Sequence, residues 1–323
     1  MNPPPFAPRV VAICGGVGGA KLALGLSHVL PAQDLAIVVN TGDDFQHLGL
    51  SISPDVDTVT YTLAGLANAE LGWGLAGETW GFMEALRRLG GEDWFQLGDR
   101  DLATHVERTR RLADGERLTA ITRDFAARLG IGPAILPMSD DPVRTVLETD
   151  EGTLPFQRYF VGRRAEPRVS AIRFEGADTA RPTPELLAAL ASPRLEAVVV
   201  CPSNPWLSIA PILAVPSFRD ALKQAGKQKR APVVAVSPVI AGKAVKGPTA
   251  KLMAELGLPV TAATVAQWYG DLIDGFLLDA EDAALSGEIA RNGLAVEAAP
   301  TLMLSLDDKV ALAARVLDFA RRA

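Results

Sequence analysis

The sequence predicts an α/β protein with a Rossmann-like, doubly wound, mainly parallel sheet and an inserted helical and β cap region. Three observations carry this prediction. Short apolar runs at 10–14, 35–39, 134–136, 197–201, 233–236 and 276–278 have the length of strands buried on both faces. Stretches with helical spacing lie between them. Most of the runs end in polar turns, where open α/β sheets place their ligands.

The first run opens the pattern. Val10 to Cys14 leads into Gly15-Gly16-Val17-Gly18-Gly19, and Leu22, Leu26 and Val29 continue at helical spacing. A Gly-rich turn that opens a helix suits an anion, because glycines allow close approach and the first helical turn leaves amides unpaired. Lys21 adds a full charge. The turn is not a Walker loop, and it lacks the third glycine of the dinucleotide fingerprint. A tight turn that binds nothing is the alternative.

The second run, 35–39, ends in Asn40-Thr-Gly-Asp43-Asp44, and Ser53-Pro-Asp55-Val-Asp57 precedes a helix over 59–67. Four carboxylates close to a phosphate-type loop suit magnesium; the competing reading makes Asp55 or Asp57 a helix N-cap. Trp73 and Trp80 offer a stacking wall or ordinary core packing. Helices are predicted at 82–89, from Leu102 and over 118–129, and His105 alone reads as a surface or capping histidine. After the run at 134–136 and its acidic turn, 146–148, 156–161 and 169–174 read as strands.

A helix near 183–191 precedes the run at 197–201, which ends in Pro202-Ser203-Asn204-Pro205, and Ser208 is expected to cap a helix reaching Leu222. The run at 233–236 is followed by Lys243 and Lys246 among glycines, which suit a diphosphate or carboxylate or simply a solvated loop. A strand near 294–298 and a helix over 306–321 end the pattern. The expected layout is an N-terminal tail at 1–9, disordered, a core of 10–75 and 195–323, and a cap of 76–194.

Composition narrows the partners. The 323 residues, 48% hydrophobic and 22% charged, describe an ordinary globular chain of one large or two smaller domains. A net charge of −6 argues against general nucleic-acid affinity. Two cysteines, Cys14 and Cys201, each at the end of an apolar run, read as buried thiols and fit a cytoplasmic location. The proline-rich start has no apolar core and is not read as a signal peptide. No run approaches the ~20 apolar residues of a membrane span, so no membrane partner is expected.

Seven segments together resemble the 2-phospho-L-lactate transferase family: 15–22, 40–44, 53–58, 97–101, 136–143, 202–205, and 235–238 with 246–248. They run in one order from residue 10 to about 282. The resemblance implies a Rossmann-like fold, a homodimer, and transfer of a phospho-hydroxyacid from a guanosine-diphospho-linked donor to the ribityl hydroxyl of the deazaflavin Fo. GMP leaves, Mg2+ is needed, and the pathway is coenzyme F-420 biosynthesis. The acid is 2-phospho-L-lactate, phosphoenolpyruvate or 3-phosphoglycerate.

With that chemistry, Gly15 to Gly19 and Lys21 are the expected phosphate cradle, and Asp43, Asp44 and Asp57 the expected metal ligands. Asp57 also matches a family position on the Fo side, so Asp57 and Lys21 are the catalytic candidates. Gln96, Arg100, Trp73 and Trp80 are the expected deazaflavin wall; Ser203, Asn204, Lys243 and Lys246 are assigned to the nucleotide half. The runner-up is a nucleotide-sugar-binding regulatory protein of a related Gly-rich family. A nicotinamide-dependent dehydrogenase is disfavoured by the incomplete fingerprint and by the lack of a convincing hydride-site histidine.

Overall fold

The computed structural model describes residues 7–68, 70, 72–229, 231–245, 247–291 and 293–323, with side chains 227–229 left aside. Its centre is built from the apolar runs: β1 (Val10–Cys14), β2 (Leu35–Val39), β3 (Ala134–Pro137), β4 (Ala197–Val200), β5 (Val233–Val236), β6 (Gly275–Asp279) and β7 (Ala295–Ala299). They pair in parallel in the order β7-β6-β5-β4-β1-β2-β3. Helices cover both faces, so the strands are apolar on both sides. Val11 and Ile13 enter one core, whereas Val10, Ala12 and Cys14 enter the other.

From β1 the chain winds outward through β2 to β3, then returns beside β1 as β4 and winds the opposite way. The sheet therefore reverses direction between β1 and β4, where ligands of open α/β sheets lie. Helix α1 (Gly16–Val29) packs against the C-terminal helix Leu306–Ala320. Gly25 permits the approach, because an added Cβ there would stand 2.1 Å from the Lys309 carbonyl oxygen.

The 76–194 stretch supplies β3 to the central sheet as well as peripheral elements: α3 (Gly81–Arg88), α4 (Asp101–Ala113), α5 (Leu118–Arg128) and a three-stranded antiparallel sheet, with Arg144–Thr149 between Gly152–Pro155 and Val169–Glu175. The strand expected at 156–161 is helical instead. Phe156 and Phe160, four residues apart, stack at 5.4 Å, a spacing that a helical turn brings together and a strand does not. The helix expected to run from Ser208 to Leu222 is broken. Asn204, not Ser208, accepts from the first amides, and Ser217 at φ 68° separates Ala210–Ala214 from Phe218–Lys229.

Residues 7–9, expected in the tail, are docked: Arg9 N donates to Asp34 O and Ser192 Oγ to Pro8 O. Residues 1–6 lie outside the described ones. Cys14 and Cys201 are buried free thiols, and burial pushes both well up from the ordinary thiol range. Among the described residues no helix is long and apolar enough to cross a membrane.

Candidate functional site

The turn after β1 takes its shape from its neighbours. Gly16 has φ +63°, a conformation that favours glycine. A Cβ on Gly18 would stand 2.3 Å from the Pro202 carbonyl oxygen, and one on Gly19 would stand 2.5 Å from Cys14 Cβ. These glycines let the turn close onto the 202–203 loop at the end of β4. Ser203 completes the join: its Oγ accepts from Gly15 N at 3.1 Å and donates to Gly15 O at 2.8 Å. Val17, Gly18 and Gly19 continue into the first turn of α1, where α-helical geometry leaves amides without intrahelical partners. Lys21 Nζ donates to Met303 O at 2.8 Å.

Two carboxylates meet beneath this turn. The Asn40 amide donates to Asp43 Oδ1 at 3.0 Å and to Asp55 Oδ2 at 2.9 Å, and Gly16 N donates to Asp55 Oδ1 at 2.7 Å. Burial pushes Asp43 well above the usual carboxylate range, and the Asp55 charge adds to it. Burial also raises Asp55 to about 6, against the bonds from Asn40 and Gly16. Asp44 holds Ser53 Oγ with Oδ2; burial raises it to about 7, opposed by Arg144 and Arg108.

The expected trio Asp43, Asp44 and Asp57 is therefore divided. Asp43 shares Asn40 with Asp55, Asp44 turns to Ser53, and both oxygens of Asp57 are taken by the Arg108 guanidinium. Neither Asp55 nor Asp57 caps α2 (Pro54–Leu63), whose N-cap Ser53 makes no side-chain cap bond. Among the described residues, no group of three or more His, Cys, Asp or Glu is arranged to hold a metal ion. Two carboxylates do suffice for magnesium when phosphate oxygens and water complete its shell.

The residues expected to form the deazaflavin wall have separate partners apart from the two tryptophans. Trp73 and Trp80 meet edge to face at 6.2 Å. Gln96 is held by Arg87 and by Asp93 O, and Arg100 Nη1 donates to Ala76 O. Much of the 97–101 motif serves helix ends. Asp99 accepts from Gly81 N and Phe82 N at the start of α3, while Glu78 accepts from Arg100 N and Asp101 N at the start of α4. A different aromatic group lies nearer the carboxylates in the chain. Phe45 and His47, just after Asp44, pack with Trp94 and Phe95, and the Arg158 guanidinium lies 4.2 Å from the Trp94 ring centre. A cavity of about 240 Å³ opens between α2, α4 and α5, with Asp57, Arg108 and Phe125 in its wall.

After β4, Asn204 Oδ1 accepts from Trp206 N and Leu207 N, and its buried Nδ2 has no partner. Thr41 Oγ1, Asp44 Oδ1 and Thr145 Oγ1 are also buried and unpartnered. Thr145 belongs to this region, since its N donates to Gly42 O at 2.7 Å. Such atoms are rare in proteins; these four lie on segments that follow β2, β3 and β4, and among the described residues the others belong to His47, His105 and Tyr269. Lys243 is exposed on a hairpin of Val239–Ile240 and Lys243–Ala244, and Lys246 lies outside the described residues.

The sequence sets Asp55 among four carboxylates suited to magnesium without singling it out as a ligand, and it gives Arg108, Phe45, Trp94 and Thr145 no role. Asp55 alone had a signal, its place among clustered carboxylates. Phe45 follows Asp44 directly, whereas Arg108, Trp94 and Thr145 come close only through contacts between distant segments.

Fold and site define a Rossmann-like α/β protein with an anion-type turn and paired carboxylates at its switch point. The 2-phospho-L-lactate transferase CofD family matches residues 10–301, and the chain belongs to that family. A phosphoenolpyruvate transferase of Streptomyces griseus is 42% identical, over 97% of this chain and 98% of that protein. A 2-phospho-L-lactate transferase of Methanosarcina mazei is 40% identical, over 94% and 98%. A solved UPF0052-family protein from Bacillus halodurans superposes with TM-score 0.59 over 96% of this chain and 99% of that one; at 14% identity the likeness is one of fold.

Proposed function

We propose that this transferase moves a phospho-hydroxyacid from a guanosine-diphospho-linked donor to the ribityl hydroxyl of the deazaflavin Fo, releasing GMP, in coenzyme F-420 biosynthesis. The observation that carries the reading is the set of unpartnered buried atoms, Thr41 Oγ1, Asp44 Oδ1, Thr145 Oγ1 and Asn204 Nδ2, beside the Asp43–Asp55 pair at the switch point. A polar ligand would satisfy them. A cation would relieve the two buried carboxylates that share one amide.

In the transfer, the acceptor hydroxyl attacks the phosphorus that bears the acid. A new O–P bond forms, the P–O–P bridge breaks so that GMP leaves with the bridging oxygen, and the hydroxyl proton passes to that phosphate or to solvent. Such reactions rest on positioning and charge stabilisation more than on covalent chemistry. Asp43 and Asp55 would hold Mg2+, which supplies charge neutralisation on the diphosphate oxygens. The first-turn amides of Val17 to Gly19 receive phosphate oxygens, and Asn204 Nδ2 donates to the same group. Asp57, already bonded to Arg108, accepts a hydrogen bond from the attacking hydroxyl.

The relatives carry two names, so the test supplies each acid in turn. Purified protein with Mg2+, Fo and guanylyl-activated 2-phospho-L-lactate, phosphoenolpyruvate or 3-phosphoglycerate is examined by mass spectrometry. One of the three yields the phospho-acid adduct with stoichiometric GMP. Absence of GMP with all three overturns the reading.

A further inference from the structure

The ion pair between α2 and α4 is more elaborate than helix packing requires. Arg108 is 2% exposed and gives both ends of its guanidinium to Asp57, with Nη1 also 3.3 Å from Ser51 O. One turn earlier, His105 lies with Nδ1 3.8 Å from Asp57 Oδ2 and Nε2 3.3 Å from Asp101 Oδ2. Asp101 accepts from Tyr61 OH, which also reaches Thr104 Oγ1 at 2.9 Å. Helix α4 thus supplies Asp57 with one forked donor, Arg108, and sets the His105 ring beside it without a hydrogen bond.

Stability does not explain this arrangement. A buried ion pair gives up hydration on both partners, and well-packed apolar residues in its place are often as stable. What a guanidinium fork adds is orientation, because it meets a carboxylate in one plane through two parallel bonds. A carboxylate has about four lone-pair sites, so acceptor capacity remains on both Asp57 oxygens. Asp57 and Arg108 also share the wall of the cavity between α2, α4 and α5.

We propose that Arg108 is a positioning residue: it fixes the Asp57 carboxylate so that the acceptor hydroxyl meets an oriented hydrogen-bond acceptor. The inference rests on the transfer reaction proposed above and assigns a residue to its acceptor half.

A double-mutant cycle tests it, with Fo and donor varied separately in the presence of Mg2+. The variants are Arg108→Lys, Asp57→Asn and the two combined. Arg108→Lys keeps the charge and loses the fork, so the KM for Fo rises about tenfold while the KM for the donor stays within about twofold. The double variant is no worse than the poorer single one, because the two residues act as a unit. Unchanged Fo kinetics in Arg108→Lys, a parallel rise in both KM values, or losses that multiply in the double variant would each overturn the proposal. Should Arg108→Lys not fold, Arg108→Gln is added to Asp57→Asn, which leaves no buried charge unpaired. An Fo KM equal to that of Asp57→Asn alone supports the proposal, and a further loss overturns it. Wild-type protein that transfers nothing to Fo overturns the function reading and this one with it. An active wild type beside an unaffected Arg108→Lys overturns this one alone.

Discussion

Asp279 illustrates what a single carboxylate does at a strand end. At the end of β6 it accepts from Glu281 N, Thr301 N and Thr301 Oγ1, which ties β6 to the segment after β7. Burial pushes its carboxyl up, but those three bonds outweigh burial and hold it below the usual range. A depressed acid stabilises the fold above its unfolded value and loses that contribution as pH falls through the folded one. Asp279→Asn is therefore expected to cost about 2 kcal/mol at neutral pH. The gap from the parent should close as pH falls below about 4. Urea unfolding of both proteins across that range measures it, and a gap independent of pH would contradict the assignment.

At the scale of elements, the turn between β1 and α1 depends on the loop after β4. Gly18→Ala would place a methyl 2.3 Å from the Pro202 carbonyl oxygen, which is backbone and cannot swing aside. The expected cost is about 1–3 kcal/mol, with donor affinity falling because turn and loop separate. Thermal unfolding alongside donor binding checks it, and an unshifted transition would contradict the close approach. The turn and the strand on either side of the switch point are readable in sequence, since a buried parallel strand is a continuous apolar run and the glycines stand together. The hairpin of Phe45–His47 and Leu50–Ile52 is not readable in the same way, because its strands are three residues each and carry no period. The 156–161 stretch misleads for a related reason: aromatic and β-branched residues signal a strand, and only the stacking of Phe156 on Phe160 decides for a helix.

Across the whole molecule, parallel order and the place of the switch point follow from alternation of apolar runs with helical stretches. The partners inside the site do not. Asp57 and Arg108 are 51 residues apart, and Gly15 and Ser203 are 188 apart. No local pattern announces such pairs, so the carboxylates were visible as a group while their division among Asn40, Ser53 and Arg108 was not. That division moves the expected magnesium set from Asp43, Asp44 and Asp57 to Asp43 and Asp55. Chelation with EDTA should then abolish transfer, and added Mg2+ should restore it; transfer that persists in EDTA would contradict a magnesium requirement.

The most direct measurement is calorimetric titration of GDP into wild-type protein, Asp55→Asn and Asn204→Ala, with and without Mg2+. Wild-type protein should bind only when Mg2+ is present, and each variant should weaken binding by about tenfold or more. Binding that ignores Mg2+ and survives both substitutions would place the diphosphate somewhere other than the junction of β1 and β4.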